Sequence, residues 1–225
     1  MTLSARWREL VDQLPDRVHL LAVSKGQPVA AIRQLAELGQ MDFGESRLQE
    51  ALPKLEALED LPGLRWHFIG RLQANKVRAV VRSFGFIQSV DSQRLAERIS
   101  RISGEEKRCP QVMLQVKFRD DPCKGGFGPA QLRESWPELI ELPHLKLIGL
   151  MAMAPMGLSL QQRKNIFQEC RDLADELGLA ECSMGMSGDW SEAVDAGATW
   201  LRLGGVLFGA RVKSAQGPTD DINDV

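Results

Sequence analysis

Hydrophobic and polar positions along this chain follow two different periods. The opening stretch, Leu3 to Leu14, carries apolar side chains at helical spacing and ends before Pro15. Eight short runs rich in apolar and β-branched residues follow it, and each has the length of a buried strand. These predicted strands cover residues 18–24, 41–46, 65–70, 84–90, 111–118, 145–153, 181–187 and 199–205.

Amphipathic segments that read as helices lie between the predicted strands, and two of them end at Gly39 and Gly178. A strand followed by a helix, repeated around eight times, is the pattern of a (β/α)8 TIM barrel. The usual size of that fold is about 250 residues, and this chain has 225. A doubly wound open sheet is the competing architecture.

The chain contains no polar linker that would divide it into two domains. We therefore expect residues 1–211 to form a single barrel domain. Residues 212–225 are polar, acidic and rich in turn formers, and this composition predicts a flexible C-terminal tail.

Charge and composition exclude several classes of function. The 28 basic and 30 acidic residues give a net charge of -2, which supplies no positive field for a nucleic acid or an anionic membrane. No apolar stretch approaches the roughly 20 residues of a membrane-spanning helix. The N-terminus also lacks the apolar segment of a signal peptide.

The cysteines and histidines predict a compartment and argue against a metal site. The 4 cysteines form no C-x-x-C pair, so we expect free thiols in a reducing, cytoplasmic compartment. The 3 histidines and the scattered cysteines show no spacing typical of metal ligands.

Reactive groups of a TIM barrel gather at the carboxyl ends of its strands. Lys25 follows the first predicted strand directly. Partial desolvation there would lower its pKa and expose a neutral amine able to form a Schiff base. The alternative is an ordinary lysine at a strand end that points into water.

The loops after the last two predicted strands carry the pattern of an anion site. Ser187 and Gly188 precede a predicted helix, and Gly204 and Gly205 precede a short one. Such loops commonly bind phosphate in barrels through backbone N–H groups. Alternatively, the first is a helix cap and the second a tight turn.

Arg202 lies within the apolar eighth strand. A buried guanidinium needs a partner, and that partner is either a structural carboxylate or a bound ligand. A Schiff-base lysine, a phosphate site and an arginine together would suit pyridoxal 5'-phosphate (PLP), which offers an aldehyde, a phosphate and a ring nitrogen.

Several segments closely resemble the YggS/PROSC family of PLP homeostasis proteins, and together they span nearly the whole chain. They are AVSK (22–25), FGESRLQE (43–50), WHFIGRLQANKVR (66–78), SVDS (89–92), KGGFG (124–128), GLMAMAP (149–155), SMGMSGDW (183–190) and RLGGVLFGAR (202–211).

The resemblance implies a single barrel similar to the N-terminal domain of alanine racemase, a PLP protein of fold type III. It matches Lys25 to the lysine that holds the cofactor as a Schiff base, and Arg202 to the arginine that meets the pyridine nitrogen. The phosphate cradle is matched by Ser187, Gly188, Gly204 and Gly205.

Two positions depart from the family pattern, and one histidine has two interpretations. Ser46, a candidate cofactor contact, stands where relatives often carry Asn, and Gly205 stands where a hydroxyl residue is frequent. His67 ends the third predicted strand. It either contacts the cofactor or is a core histidine with satisfied hydrogen bonds.

The function implied is a carrier that binds PLP reversibly, buffers or delivers it, and thereby affects amino-acid and keto-acid metabolism with little or no catalysis. Its partners would be apo PLP enzymes or a regulatory protein, and we expect a monomer. One alternative is an amino-acid racemase, which would need an unusual second base because the chain has 0 tyrosines. The other is a Schiff-base aldolase acting on a phosphorylated sugar.

Overall fold

The computed structural model describes residues 1–121 and 124–209. Its parallel strands form a closed barrel in the order β1 to β8, in which β8 also pairs with β1. The strands are β1 (His19–Val23), β2 (Asp42–Glu45), β3 (Arg65–Phe68), β4 (Phe86–Val90), β5 (Gln111–Val116), β6 (Lys146–Ala152), β7 (Glu181–Ser183) and β8 (Trp200–Leu203).

Each of these strands lies within one of the runs predicted from the sequence. The TIM barrel is therefore confirmed and the open sheet is wrong, because an open sheet would leave β1 or β8 with an unpaired edge. In the pairing that closes the barrel, Leu21 lies beside Arg202 and Ala22 beside Leu203.

Helices separate the strands, as the amphipathic segments predict. Gly178 follows α7 with a φ of 70°, a left-handed conformation that glycine adopts without steric cost. The helices are α1 (Leu3–Gln13), α2 (Val29–Glu37), α3 (Leu48–Ala57), α4 (Val77–Ser83), α5 (Gln93–Glu105), α6 (Pro129–Ile140), α7 (Leu160–Glu176), α8 (Trp190–Asp195) and α9 (Gly205–Phe208), with a 3-10 turn at Ala74–Lys76 before α4.

The core has two parts, as expected when helices surround a barrel. The larger part fills the space between helices and strands and includes Ile32, Phe43 and Phe167. The smaller cluster includes Leu21 and Trp200, which come from the adjacent strands β1 and β8. Leu21 and Trp200 point into the barrel. Side chains alternate along a strand, so residues two positions away from them on the same strand also point inward.

The predicted boundary after residue 211 and the tail at 212–225 lie outside the described residues. Within the part of the chain that the structure describes, no helix is long and apolar enough to cross a membrane. The described cysteines, Cys109, Cys170 and Cys182, are free thiols.

Candidate functional site

Lys25 lies two residues beyond β1, at the end of the barrel where all the strands have their carboxyl ends. It is exposed to solvent, so the partial burial expected from the sequence is not observed. The turn after β8 lies directly beside it, because a Cβ atom on Gly204 would be only 3.3 Å from the carbonyl oxygen of Val23. The candidate amine and the candidate anion loop therefore come from adjacent strands.

The loops after β7 and β8 meet through one side chain. The Oγ atom of Ser187 accepts a hydrogen bond of 3.4 Å from the backbone N–H of Val206 in α9. A Cβ atom on Gly205 would lie 3.7 Å from the same Oγ. Gly188 follows in an exposed position, and nothing lies within 4 Å of the place that a Cβ atom on it would take. These residues thus line one exposed patch at the same end of the barrel as Lys25.

Arg202 points into the barrel and is only 5% exposed. Its guanidinium donates to the backbone oxygens of Ser183 (2.7 Å) and Ala152 (2.9 Å), and to the Oγ of Ser183 (2.9 Å). These acceptors are neutral, so neither partner considered from the sequence, a carboxylate or a ligand, accounts for these bonds. Burial lowers the pKa of Arg202 to about 10, and the group still carries a proton at neutral pH.

Asp189 is the carboxylate that most strongly favours the charged form of Arg202. Its role was not predicted from the sequence. Burial lowers the pKa of Arg202, whereas the Asp189 carboxylate acts in the opposite direction. Asp189 is itself buried before α8 and accepts a hydrogen bond of 2.6 Å from the N–H of Met186. The loop that carries Ser187 is therefore tied to a carboxylate that favours the charged form of Arg202.

His67 lies inside the barrel and is fully buried. Its Nε2 is 3.0 Å from Oδ1 of Asp42, its Nδ1 is 3.0 Å from Nε2 of Gln88, and its ring stacks on Phe86 at 4.0 Å. Asp42 and Phe86 are the first residues of their strands, so these partners lie toward the amino end of the barrel. The surroundings are those of a core histidine with satisfied hydrogen bonds, and direct contact with a cofactor stays a prediction.

Ser46 follows β2 at the carboxyl end of the barrel and is half-buried. A Cβ atom on Gly70, the second residue after β3, would lie 2.0 Å from the carbonyl oxygen of Ser46. Only glycine therefore permits this close approach between the two loops. Lys25 and Ser46 consequently share the barrel end with Ser187 and Gly205, whereas His67 does not.

A buried ionic cluster lies directly beneath Lys25, and the sequence analysis missed it. Lys54 of α3 donates to the Ser24 carbonyl (2.8 Å), to Glu45 (2.8 Å) and to Glu50 (2.6 Å). Ser24 donates from its hydroxyl to Glu45 at 2.7 Å, and the N–H of Gly26 donates to Glu50. Both residues that flank Lys25 are therefore held by this cluster.

The pKa values of the two glutamates in this cluster shift in opposite directions. Burial raises the pKa of Glu45 despite the opposing bonds from Lys54 and Ser24. Burial also acts to raise the pKa of Glu50, but the bonds from Lys54 and Gly26 outweigh it and lower that pKa. A glutamate within the apolar second strand and a lysine four residues after Glu50 on one helix face were the available sequence signals.

A cavity of about 320 Å³ lies at the opposite end of the barrel, away from Lys25. Its lining includes Trp7, His19, Asp42 and Arg65, residues of α1 or of the amino ends of strands. This position is not where TIM barrels hold their reactive groups. Among the residues in 1–121 and 124–209, no group of three or more His, Cys, Asp or Glu could hold a metal ion.

The chemistry available at the carboxyl end can be stated from these contacts. Lys25 offers an amine on an exposed side chain, and the loop of Gly204 and Gly205 offers a backbone that a ligand can approach closely. Arg202 offers a fixed, charged donor below them. An anion that also carries an aldehyde and a hydrogen-bond acceptor fits these three groups.

Comparison with known sequences gives the same picture. The alanine racemase N-terminal domain model matches residues 2–212. The pyridoxal phosphate homeostasis protein of Synechocystis sp. is 45% identical over 212 residues, which cover 92% of this chain and 97% of that protein. The protein of the same name from Escherichia coli K12 is 36% identical, covering 88% of this chain and 87% of the relative.

Solved structures also match the fold. PipY of Synechococcus elongatus without PLP is 48% identical, with a TM-score of 0.91, 92% of this chain covered and 100% of that chain. Its form with PLP bound is 47% identical with a TM-score of 0.89 and the same coverage. Alanine racemase of Clostridium difficile, 16% identical with a TM-score of 0.77, matches the fold over 98% of this chain and 61% of its own. The chain thus belongs to the alanine racemase N-terminal domain family, within the group of PLP homeostasis proteins.

Proposed function

We propose that this chain is a PLP-binding homeostasis protein that holds the cofactor reversibly at Lys25 and buffers or delivers it. The observation that carries the proposal is the adjacency of the Lys25 strand end to the glycine turn after β8, where a Cβ on Gly204 would lie 3.3 Å from the Val23 carbonyl. PipY, 47% identical to this chain, has been solved with PLP bound. The name of the Synechocystis relative supports the same role.

The residues present fit the chemical groups of this cofactor. When bound, PLP supplies an aldehyde that condenses with an amine, a phosphate and a pyridine nitrogen. Lys25 would supply that amine, and Arg202 would donate to the pyridine nitrogen. The phosphate would be bound by Ser187, Gly188, Gly204 and Gly205. Ser46 would contact the cofactor from the loop after β2.

Arg202 favours holding the cofactor over catalysis. A guanidinium that remains protonated donates to the ring nitrogen without giving up its proton. Burial lowers the pKa of Arg202 only to about 10, so this donor role persists at neutral pH. A ring nitrogen left unprotonated withdraws electrons weakly, and carbanion formation then gains little help. We therefore propose little or no catalytic activity.

The racemase alternative requires a second base opposite Lys25. The chain has 0 tyrosines, both ring nitrogens of His67 are in hydrogen bonds to Asp42 and Gln88, and the other described histidines and cysteines do not fill that place. His19 begins β1, and Cys109 and His144 precede strands, so these three lie at the amino end of the barrel. Cys170 and Cys182 are buried against each other between α7 and β7. Cys123 lies outside the described residues.

The first experiment is the absorption spectrum of the purified protein with added PLP, followed by borohydride reduction and peptide mass mapping. We expect a yellow protein and one reduced adduct on Lys25, absent from Lys25→Ala. Lys117→Ala is the matched control because Lys117 also lies just after a barrel strand, β5, at the same end of the barrel. A colourless protein with PLP would contradict the proposal and favour the aldolase. An adduct on another lysine would contradict the assignment of Lys25.

We further propose a cytoplasmic monomer that delivers PLP to apo-enzymes or meets a regulatory protein. The neighbouring free thiols of Cys170 and Cys182 fit a reducing compartment. Sedimentation equilibrium tests the monomer, and transfer of PLP to an apo-aminotransferase followed by its activity tests delivery.

A further inference from the structure

A row of buried side chains crosses the barrel interior below the candidate site. Arg202 Nη1 donates to Ser183 Oγ (2.9 Å), and Ser183 Oγ donates to Gln88 Oε1 (2.7 Å). Gln88 Nε2 lies 3.0 Å from His67 Nδ1, and His67 Nε2 lies 3.0 Å from Asp42 Oδ1. We call these five residues the interior network. It connects β8, β7, β4, β3 and β2.

Water has almost no access to the interior network. Asp42, the most exposed member, is 6% exposed, and His67, Gln88 and Ser183 are 0% exposed. Each hydrogen bond therefore acts in a medium of low dielectric constant, where neighbouring bonds polarise one another. An unsatisfied polar group at any of these positions would be costly.

The two ends of the interior network fix the direction of every bond in it when the His67 imidazole is neutral, the form that burial favours by lowering its pKa. A guanidinium only donates, and an ionised carboxylate only accepts. Burial acts to raise the pKa of Asp42, but the hydrogen bonds from His67 and Arg65 outweigh it and lower that pKa, so Asp42 is ionised at neutral pH. Donation then runs from Arg202 through Ser183 and Gln88 to Nδ1 of His67, and the imidazole proton lies on Nε2.

We propose that Gln88 and Ser183 are positioning residues for Arg202. They orient its guanidinium and connect it by hydrogen bonds, through His67, to the Asp42 carboxylate. This inference rests on the proposed function, in which Arg202 donates to the ring nitrogen of PLP. The Ser183 hydroxyl donates its proton to Gln88, so its oxygen can only accept a hydrogen bond from Arg202. The network thereby holds Arg202 as a donor of fixed direction.

The contacts of Arg202 make the proposal testable without removing the arginine. Its bonds to the backbone oxygens of Ser183 and Ala152 survive the substitution Ser183→Ala. That substitution removes only the hydroxyl that connects Arg202 to Gln88. Ser89→Ala is the matched control, because Ser89 is on the same strand as Gln88, is 2% exposed and donates outside the network, to the Gly70 carbonyl.

The first readout needs no cofactor. Nitrogen-15 NMR of the 3 histidine side chains in the ligand-free protein should find His67 neutral, with its proton on Nε2. In Ser183→Ala the Nδ1 resonance of His67 should move downfield, because Gln88 becomes a weaker donor once its own acceptor loses a partner. In Gln88→Glu both ring nitrogens face carboxylates, and His67 should carry two protons.

The second readout uses the protein loaded with PLP. Ser183→Ala should shift the visible absorption maximum and weaken PLP retention roughly 2- to 10-fold, the effect of one hydrogen bond. Ser89→Ala should match the parent in both measurements. If Ser183→Ala does not fold, Gln88→Glu tests the same connection from its other end: it keeps the size of the side chain and its bond to Ser183, and a shifted absorption maximum shows that the changed charge acts on Arg202.

The possible failures are distinguishable. A parent protein that binds no PLP contradicts the proposed function, while the NMR result still reports on the interior network. A parent that binds PLP, with Ser183→Ala equal to Ser89→Ala in both the His67 resonances and the absorption spectrum, overturns the positioning role, as does a Gln88→Glu absorption spectrum equal to that of Ser89→Ala. A His67 proton on Nδ1 in the parent overturns the direction of the network.

Discussion

The ammonium group of Lys54 donates a hydrogen bond of 2.8 Å to the backbone carbonyl of Ser24, the residue that precedes Lys25. Lys54 and Glu45, which it also contacts, are 7% and 0% exposed. A buried ion pair of this kind adds little net stability, yet removal of one partner leaves the other charge buried and uncompensated. The cluster therefore ties the position of the Lys25 loop to the charge balance of α3 and β2.

We expect Lys54→Met to lower the free energy of unfolding by about 3–5 kcal/mol, measured by urea denaturation. The double variant Lys54→Met/Glu45→Met should be less destabilised than Lys54→Met alone, because it removes both buried charges. Lys164→Met is the control: Lys164 pairs with Asp195 at 3.2 Å on the surface, and its loss should cost less than about 1 kcal/mol. A Lys54→Met variant as stable as the parent would contradict this account.

The pH dependence of stability should contain a contribution from His67. Burial lowers the pKa of His67 below 6.5, although the hydrogen bond that His67 donates to Asp42 opposes this effect. The unfolded chain therefore takes up a proton near pH 6.5, whereas the folded chain does so only at lower pH. The free energy of unfolding falls as pH drops below about 6.5, by up to ~1.4 kcal/mol per pH unit for this one group.

His67→Gln should reduce this slope between pH 6.5 and 5, measured by denaturation at each pH. Glu45, whose pKa is raised by burial, contributes the opposite slope above its ordinary pKa, and it does so equally in parent and variant. His144→Asn is the control, since His144 is exposed at a φ of 60° that asparagine tolerates. Equal slopes for His67→Gln and the parent would show that the buried imidazole does not titrate on unfolding.

The strands and the outer parts of the site could be predicted because their signals are local. Apolar runs and the residues that end them are contiguous in the sequence, and a parallel barrel brings all the strand ends to one side. The same rule places Lys25 beside Gly204 once β1 and β8 are known to pair. The sequence also indicated a buried Arg202, because a charge stands within an apolar strand.

The contacts beneath the site could not be predicted because they depend on long-range geometry. Gln88 and Ser183 are 95 residues apart in the chain, and neither has a neighbour that marks it as a partner. The sequence also gave no means of deciding whether His67 faces the mouth or the amino end of the barrel. That orientation depends on the stagger of the strands, which sets the height of each interior side chain.

Gly70 should be intolerant of any side chain. Its Cβ would lie 2.0 Å from the carbonyl oxygen of Ser46, and backbone atoms on both sides must move to relieve that contact. We expect Gly70→Ala to destabilise the protein by at least the ~1–3 kcal/mol typical of overpacking. Gly85→Ala is the matched control because nothing lies within 4 Å of its Cβ position. Equal thermal midpoints for the two variants would contradict the close approach of the two loops.

Substitution of Gly205 by serine tests whether a hydroxyl at this position would add a contact with the phosphate. Its Cβ would lie 3.7 Å from Ser187 Oγ, an ordinary contact distance, so a small side chain fits without displacing the loop. We expect Gly205→Ser to strengthen PLP binding about tenfold, the effect of one added hydrogen bond to a charged group. The measurement is the dissociation constant from titration of the visible absorption.

Gly205→Ala separates the hydroxyl from the effect of adding a Cβ atom. If the hydroxyl meets the phosphate, Gly205→Ala should bind PLP as the parent does, and only Gly205→Ser should bind more tightly. The difference should disappear with pyridoxal, which has the aldehyde and ring of PLP without its phosphate. Equal tightening by Gly205→Ser toward PLP and pyridoxal would mean that the loop after β8 does not bind the phosphate.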